Sequence, residues 1–293
     1  MQAEAKTIGL IGKFADSSTR DTLQTVHDML TAQGRKVLLD SHTAEVIPDL
    51  AIDSVDRDTL GKQCDLIIVV GGDGTFLNAA RSLVEHDVPL LGINLGRLGF
   101  LADISRDEIH TTLQKMLDGD FVEERRFMLH ASIQCEDIEN SESFAFNDVV
   151  VHKWNVARMI ELDIYINGQY MNTLRSDGLI ISTPTGSTAY ALSGGGPIVH
   201  PSLDAIILVP ICPHTMSQRP IVVDGSSEIE VVISNMNQAE AQVTCDGQQN
   251  INIKCGDSVM VKKFAKPLRM HHPSTYDYYE ILRAKLHWGH KLS

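Results

Sequence analysis

The chain has 293 residues, enough for two domains that each bury a core. Its 25 Lys and Arg against 38 Asp and Glu leave a net charge of −13, which repels nucleic acid and anionic membranes unless a local basic stripe intervenes, and no such stripe is present. Five scattered cysteines without Cys-x-x-Cys spacing, an N-terminus without an apolar block, and no apolar run near the ~18 residues of a bilayer span read as reduced thiols in a cytoplasmic protein.

Residues 7–11 predict a first strand, and 18–33 a helix with Leu23, Val26 and Leu30 on one face and Gly34 as its stop. Val37-Leu38-Leu39 predicts a second strand. A third, at 65–70, is apolar and β-branched, as buried parallel strands are, and runs directly into Gly71-Gly72-Asp73-Gly74-Thr75-Phe76. Phe76, Leu77, Ala80, Leu83 and Val84 then recur at helical spacing. A strand at 88–93 ends in a second glycine-rich run, Asn94-Leu95-Gly96-Arg97-Leu98-Gly99-Phe100. This βα alternation predicts a parallel sheet with helices on its faces and ligands at the carboxyl ends of the strands, so the two glycine-rich loops should share one crevice.

Strand, glycine turn, helix is a geometry that suits phosphate. Glycine tolerates φ > 0 and close approach of a ligand, and the helix N-terminus offers partial positive charge. Asp73 is the odd member. A carboxylate among phosphate-cradling amides repels the anion unless it takes a proton from a nucleophile or holds a metal ion, which suggests phosphoryl transfer. A plain helix-capping aspartate is the other reading. The run is neither Gly-x-Gly-x-x-Gly nor a Walker A loop.

After a helix predicted at 107–117 and stopped by Gly119, the pattern alternates. Phe127, Leu129, Ala131, Ile133 and Cys135 share one face, and Ile160, Leu162, Ile164 and Ile166 another before the hairpin dipeptide Asn167-Gly168. Strands at 179–182, 205–211, 220–223, 228–233 and 259–264 make the second half mainly β, and 276–286 predicts a closing helix.

Within that half lie Arg175-Ser176-Asp177-Gly178, Thr183-Pro184-Thr185-Gly186-Ser187-Thr188-Ala189-Tyr190 and Ser193-Gly194-Gly195-Gly196-Pro197. So polar a stretch is costly to order unless its groups are paired. It predicts a binding loop whose hydroxyls and amides read the edges of a purine or carboxamide and whose Tyr190 stacks on a ring, with a polar surface loop as the alternative. Asn147-Asp148 reads as a turn or as a carboxylate that accepts both hydroxyls of a ribose. Arg158 and Arg175 supply positive charge for a dinucleotide or stand exposed without a role. Trp154 and Trp288 read as packing residues. His271-His272 lacks the i, i+4 spacing and carboxylate partners of a metal site, and no residue is assigned to a metal.

With these motifs assembled, the sequence resembles the NAD kinase family, of the bacterial type, along nearly its whole length. The resemblance is carried by Gly71-Gly72-Asp73-Gly74, Asn94-Leu95-Gly96 with Leu98-Gly99-Phe100, Asn147-Asp148, Ser176-Asp177-Gly178, residues 183–190 and Cys245-Asp246-Gly247-Gln248, in family order. It implies an α/β nucleotide-binding domain at 1–125, related to phosphofructokinases and diacylglycerol kinases, a β-rich NAD-binding domain at 126–270, and a segment at 271–293 that packs back on the first. ATP and NAD as substrates, a divalent cation, usually Mg²⁺, and a homo-oligomer, dimer or tetramer, are implied with it.

Carried onto this chain, the pattern makes Asp73 the catalytic carboxylate and, with Gly74, part of the dinucleotide contact. Gly71, Gly72, Gly74 and Thr75 form the ATP phosphate loop. Asn147 and Asp148 fall on the nucleoside site. Arg158, Arg175, Asp177, Thr188, Ala189, Tyr190, Ala191, Leu192, Ser193 and Gln248 fall on the rest of the NAD site. From its place just before Ser176-Asp177, Arg175 is expected near the nicotinamide end. Asp148 stands where the family often has the longer Glu. The reaction implied is ATP-dependent phosphorylation of the 2′-hydroxyl of the adenosine ribose. A lipid or sugar kinase would explain residues 71–74 but leave 183–190 and Asn147-Asp148 without a role, and a non-catalytic NAD sensor would not need Asp73.

Overall fold

The structure is a computed structural model that describes residues 5–13, 17–48, 50, 52–96, 99–134, 140–154, 159–234 and 241–288. The chain divides into two compact units, one of Met1–Arg125 with Leu268–Ser293 and one of Arg126–Pro267.

The first unit holds β1 (Thr7–Gly12), β2 (Lys36–Asp40), β3 (Ser54–Val55), β4 (Leu66–Gly71), β5 (Leu90–Asn94), β6 (Ile104–Ser105) and β7 (Phe121–Arg126), joined by a return strand, Leu268–Pro273. They form one sheet in the order β3-β2-β1-β4-β5, return strand, β7, with β6 beside β5. The pairs from β3 through the return strand are parallel. Buried at every position, β4 has no exposed face to make its sequence alternate. Strand order reverses between β1 and β4. At such a switch point the crevice beyond the carboxyl ends is where α/β sheets take ligands, and Gly71 ends β4 there.

Leu23, Val26 and Leu30 of the helix Ser17–Ala32 pack with Ile8, Leu10, Leu39, Ile68 and Val70, the face their spacing predicts. Helices Ser41–Val46 and Arg57–Gln63, too short to show a 3.6-residue period, are set by Asp40 and Asp56, which accept the N–H groups of Thr43 and Thr59. The helix predicted at 107–117 is three unlike turns: a 3₁₀ turn Arg106–Glu108, a π turn Ile109–Leu113 and an α turn Gln114–Leu117. Asp277 caps the closing helix, Tyr278–Leu286.

The second unit contains β8 (Leu129–Gln134), β9 (Ser141–Ala145), β10 (Asp148–Lys153), β11 (Ile160–Ile166), β12 (Gln169–Ser176), β13 (Gly178–Ser182), β14 (Ala205–Ile211), β15 (Ile221–Asp224), β16 (Ile229–Ile233), β17 (Ala241–Cys245), β18 (Gln249–Ile253) and β19 (Ser258–Lys263). They make two antiparallel sheets, ordered β15-β14-β13-β10-β17-β18 and β12-β11-β16-β19-β8-β9. Alternate residues of both sheets, among them Leu129, Ala131, Val149, Val151, Leu162, Ile164, Ile181 and Val243, meet in one core. Asn167 and Gly168, at φ 52° and 75°, form the left-handed turn that their dipeptide predicts.

Cys135 lies outside the described residues. Cys64, Cys212, Cys245 and Cys255 form no disulfide among the described residues, and burial pushes the Cys64 thiol up to about 12. Trp154 and Trp288 are 58% and 51% exposed, so the packing role expected of them is wrong. Among the described residues no helix is long and apolar enough to cross a membrane.

Candidate active site

Gly72 occupies the N-cap position of the helix Asp73–Leu83 and no side-chain hydrogen bond caps it. Asp73 stands one residue inside. Its Oδ2 accepts the N–H of Phe100 at 3.0 Å and its Oδ1 that of Leu101 at 3.1 Å, so the carboxylate is fixed to the second glycine-rich loop and does not cap its own helix.

Positive φ is not the reason for these glycines, since none of Gly71, Gly72, Gly74, Gly96 and Gly99 adopts it. Space is the reason. A Cβ on Gly71 would lie 2.5 Å from Thr75 Oγ1, and one on Gly99 would lie 2.1 Å from Asp73 Oδ1. At Gly72 and Gly96 a Cβ would meet nothing within 4 Å, so bare backbone there faces open space. Open main chain beside an uncapped helix N-terminus is what an anion needs. Gly74 is exposed on the first helical turn, and Thr75 closes it by donating its N–H to the Gly72 carbonyl at 3.0 Å. Arg97 and Leu98 lie outside the described residues.

The second unit carries a cavity of about 490 Å³. Asp148, Val150 and His152 line it from one face of β10, because strand residues two apart point the same way. Asn147 and Lys153 flank them, Asp177, Ala189 and Tyr190 stand at the sides, and Thr244, Asp246 and Gly247 complete the lining with Ile211. Asp148 is therefore the first residue of a strand, not part of a turn. Asp246, at the end of the hairpin after β17, accepts the N–H groups of Phe146, Asn147 and Asp148 at 3.0, 2.8 and 3.2 Å. Asp148 is 4% exposed, and burial first, then the charge of Asp246, pushes its carboxyl up to about 7. Asp177 and Lys153 face each other at 2.6 Å.

The hydroxyl-rich stretch departs from its expected use. Thr183 Oγ1 donates to the Phe146 carbonyl at 2.6 Å and accepts the N–H of Gly186 at 3.0 Å. Ser187 Oγ donates to the Pro184 carbonyl at 2.6 Å and accepts the N–H of Val199 at 3.0 Å. Both residues are fully buried, so these hydroxyls order the loop and do not reach a ligand. Thr188 likewise turns its hydroxyl to the Thr185 carbonyl at 3.3 Å. What the loop presents to the cavity is Ala189 and Tyr190, the latter 47% exposed. Ala191 is buried against Val150, Ile180 and Val209, Leu192 is half-buried and Ser193 exposed, and none of the three lines the cavity.

Gly186 lets the loop sit directly on the residue that precedes β10, since a Cβ there would lie 2.1 Å from the Asn147 carbonyl oxygen. Gly186→Ala is expected to displace Asn147 and cost about 1–3 kcal/mol of stability. An unchanged midpoint in denaturant melts would show that the loop can shift away from Asn147 without cost.

Arg158 lies outside the described residues. Arg175 does not line the cavity. It stands on β12 opposite Glu161 of β11, and its Nε meets that carboxylate at 2.8 Å in a cross-strand ion pair. Gln248 is exposed in the hairpin turn, while its neighbours Asp246 and Gly247 line the cavity. Val150 and His152 were legible in principle by counting in twos from Asp148. Thr244, which pairs with Val150 across strands, had no sequence signal. The histidine pair does have carboxylate partners: His271 Nε2 is 3.4 Å from Glu123 and His272 Nδ1 is 2.8 Å from Asp103. Among the described residues no group of three His, Cys, Asp or Glu converges as a metal site.

A family model for the ATP-NAD kinase N-terminal domain matches residues 8–121, and one for the ATP-NAD kinase C-terminal domain matches 146–272. The chain is 50% identical over 287 residues to an NAD kinase of Nitrosococcus oceani, covering 98% of each, and 49% identical over 283 residues to one of Teredinibacter turnerae, covering 97% of each. It is similar to the crystal structure of yeast NADH kinase complexed with NADH, with a TM-score of 0.91 at 26% identity over 100% of this chain and 91% of that one. An NAD kinase from Archaeoglobus fulgidus in complex with ATP gives a TM-score of 0.75 at 27% identity, covering 96% and 98%.

Proposed function

The chain belongs to the NAD kinase family and phosphorylates the 2′-hydroxyl of the adenosine ribose of NAD with ATP, giving NADP and ADP, and from this we propose how its residues do so. Asp73 orients the 2′-hydroxyl and accepts its proton. The hydroxyl oxygen bonds to the γ-phosphorus as the bond from that phosphorus to the β,γ-bridging oxygen breaks, and its electron pair leaves with ADP. Amides of residues 71–75 and the helix N-terminus receive the triphosphate, so catalysis is positioning and electrostatics around one base. A nucleoside of NAD lies in the second unit's cavity, at Asn147 and Asp148 and with its ring against Tyr190, and Asp177 and Ala189 stand beside it.

The observation that carries this reading is Asp73 itself. Both of its oxygens take amide hydrogens, which fixes the carboxylate while leaving each oxygen a further lone pair for a substrate hydroxyl. A divalent cation, Mg²⁺ or a relative, fits only as a companion of the triphosphate, since the described residues offer no three-ligand site. When bound it offsets phosphate charge. Chelation is expected to abolish NADP formation reversibly without lowering the Tm, and a large fall in Tm would show a cation site built by the protein alone.

Pure protein incubated with ATP, Mg²⁺ and NAD, followed by an assay for NADP, tests the reaction directly. A complex with NAD tests the residue roles, and the 2′-oxygen must then lie within hydrogen-bond reach of Asp73. We place the enzyme in the cytoplasm as a homo-oligomer, dimer or tetramer, without nucleic-acid or membrane partners. Its charge of −13 supports the last point and light scattering checks the oligomer.

A further inference from the structure

Successive residues of the return strand point to opposite faces of the sheet, and its two histidines meet different partners. His271 joins the ion pair of Arg269 and Glu123. His272 is 1% exposed, and its ring has a carboxylate at each nitrogen: Asp103 Oδ2 at 2.8 Å from Nδ1 and Glu124 Oε2 at 3.2 Å from Nε2. Tyr276 stacks on the ring at 4.1 Å. The Asp103 side chain is 7% exposed, so removing the imidazole would leave it and Glu124 facing each other with little water to screen them.

Asp103 lies two residues after Leu101. The segment from Gly99 to Ser105 is fastened at several points: the Gly99 N–H meets the Ala102 carbonyl at 3.3 Å, and the Phe100 and Leu101 amides bond Asp73. Ala102 sits so close to Gly92 that a Cβ there would lie 2.7 Å from the Ala102 Cα, and Ile104 pairs with Ile93. The Asp103–His272 contact ties this segment to the return strand.

We infer that His272 is a positioning residue for phosphoryl transfer: through Asp103 it holds the turn whose two amides aim the Asp73 carboxylate. The inference rests on the role of Asp73 proposed above. It gives the return of the chain to the first unit a catalytic consequence, because a strand residue 169 positions after Asp103 sets the geometry of the base.

The test compares His272→Ala, the near-isosteric Asp103→Asn, which guards against a failure to fold, and Asp73→Asn, alone and in pairs. A misplacement of the order of 1 Å at a reacting group costs up to about a hundredfold. His272→Ala is accordingly expected to lower kcat about 10- to 100-fold and Asp103→Asn less, both with the KM for NAD within about twofold. In the Asp73→Asn background His272→Ala should change the residual rate by less than about twofold. Hydrogen exchange should show the Phe100 and Leu101 amides losing protection in His272→Ala while β1 and β4 keep theirs. Unchanged kcat, a fall that persists undiminished in the Asp73→Asn background, or protection lost across the whole sheet would overturn the inference. Near-normal turnover of Asp73→Asn alone would instead remove the base on which it rests.

Discussion

Asp73→Asn is expected to lose at least a hundredfold in turnover while remaining folded and binding NAD, because a general base typically contributes about 10² to 10⁴ in rate. The replacement is nearly isosteric. One of its two acceptors becomes an amide NH₂ that cannot accept from Phe100 or Leu101, so a hydrogen bond to a charged acceptor, worth about 1.5–3 kcal/mol, is lost as well. A companion variant separates chemistry from position. Gly99→Ala keeps the carboxylate but places a Cβ 2.1 Å from Oδ1, which must move. It is expected to lower kcat at least tenfold with little change in the affinity for NAD measured by calorimetry. Normal turnover in Asp73→Asn would take the residue out of the mechanism, and normal turnover in Gly99→Ala would show that its exact aim does not matter.

The pair also shows what the sequence could and could not reveal. A fully buried β4 followed by glycines and a 3.6-residue period made the turn legible, and the glycines advertised a ligand. Of the two reasons expected for them, positive φ is absent, and the crowding of Gly71 and Gly99 by Thr75 and Asp73 depends on side-chain placement that no local pattern encodes. In the second unit, β8 and β11 alternate because each has one buried face, and they were read correctly. β10 was missed: its first four residues are all buried, so no period of two survives. The cavity suffered for that. His152 and Val150 share a face with Asp148, but only a reader who knew Asp148 opened a strand could have counted to them. Asp246 meets Asn147 from 99 residues away, and His272 meets Asp103 from 169, distances over which composition and spacing are silent.

Asp148 carries the other large expectation, and its sign is unusual for a carboxylate. Its folded-state value, about 7, lies above the ordinary 3.8, so between those limits the folded chain holds a proton that the unfolded chain has released. Stability contributed by this group is therefore full below pH 4 and falls as pH rises to about 7, by up to about 4 kcal/mol if the whole displacement is realised. Asp148→Asn should match the parent in acid and exceed its stability by a few kcal/mol at pH 8, as denaturant melts across that range would show. Binding reverses the balance. Ribose hydroxyls donating to the ionised carboxylate favour its charged form, so NAD binding near pH 6.5 should release protons, seen as a dependence of the binding enthalpy on the buffer's ionisation enthalpy. Hydrogen bonds to a charged acceptor contribute about 1.5–3 kcal/mol each, so Asp148→Asn should bind NAD about 10- to 100-fold more weakly and release none. Proton-neutral binding by the parent protein, with the variant equally tight, would move the ribose away from Asp148 and leave its raised value as a consequence of burial beside Asp246 alone.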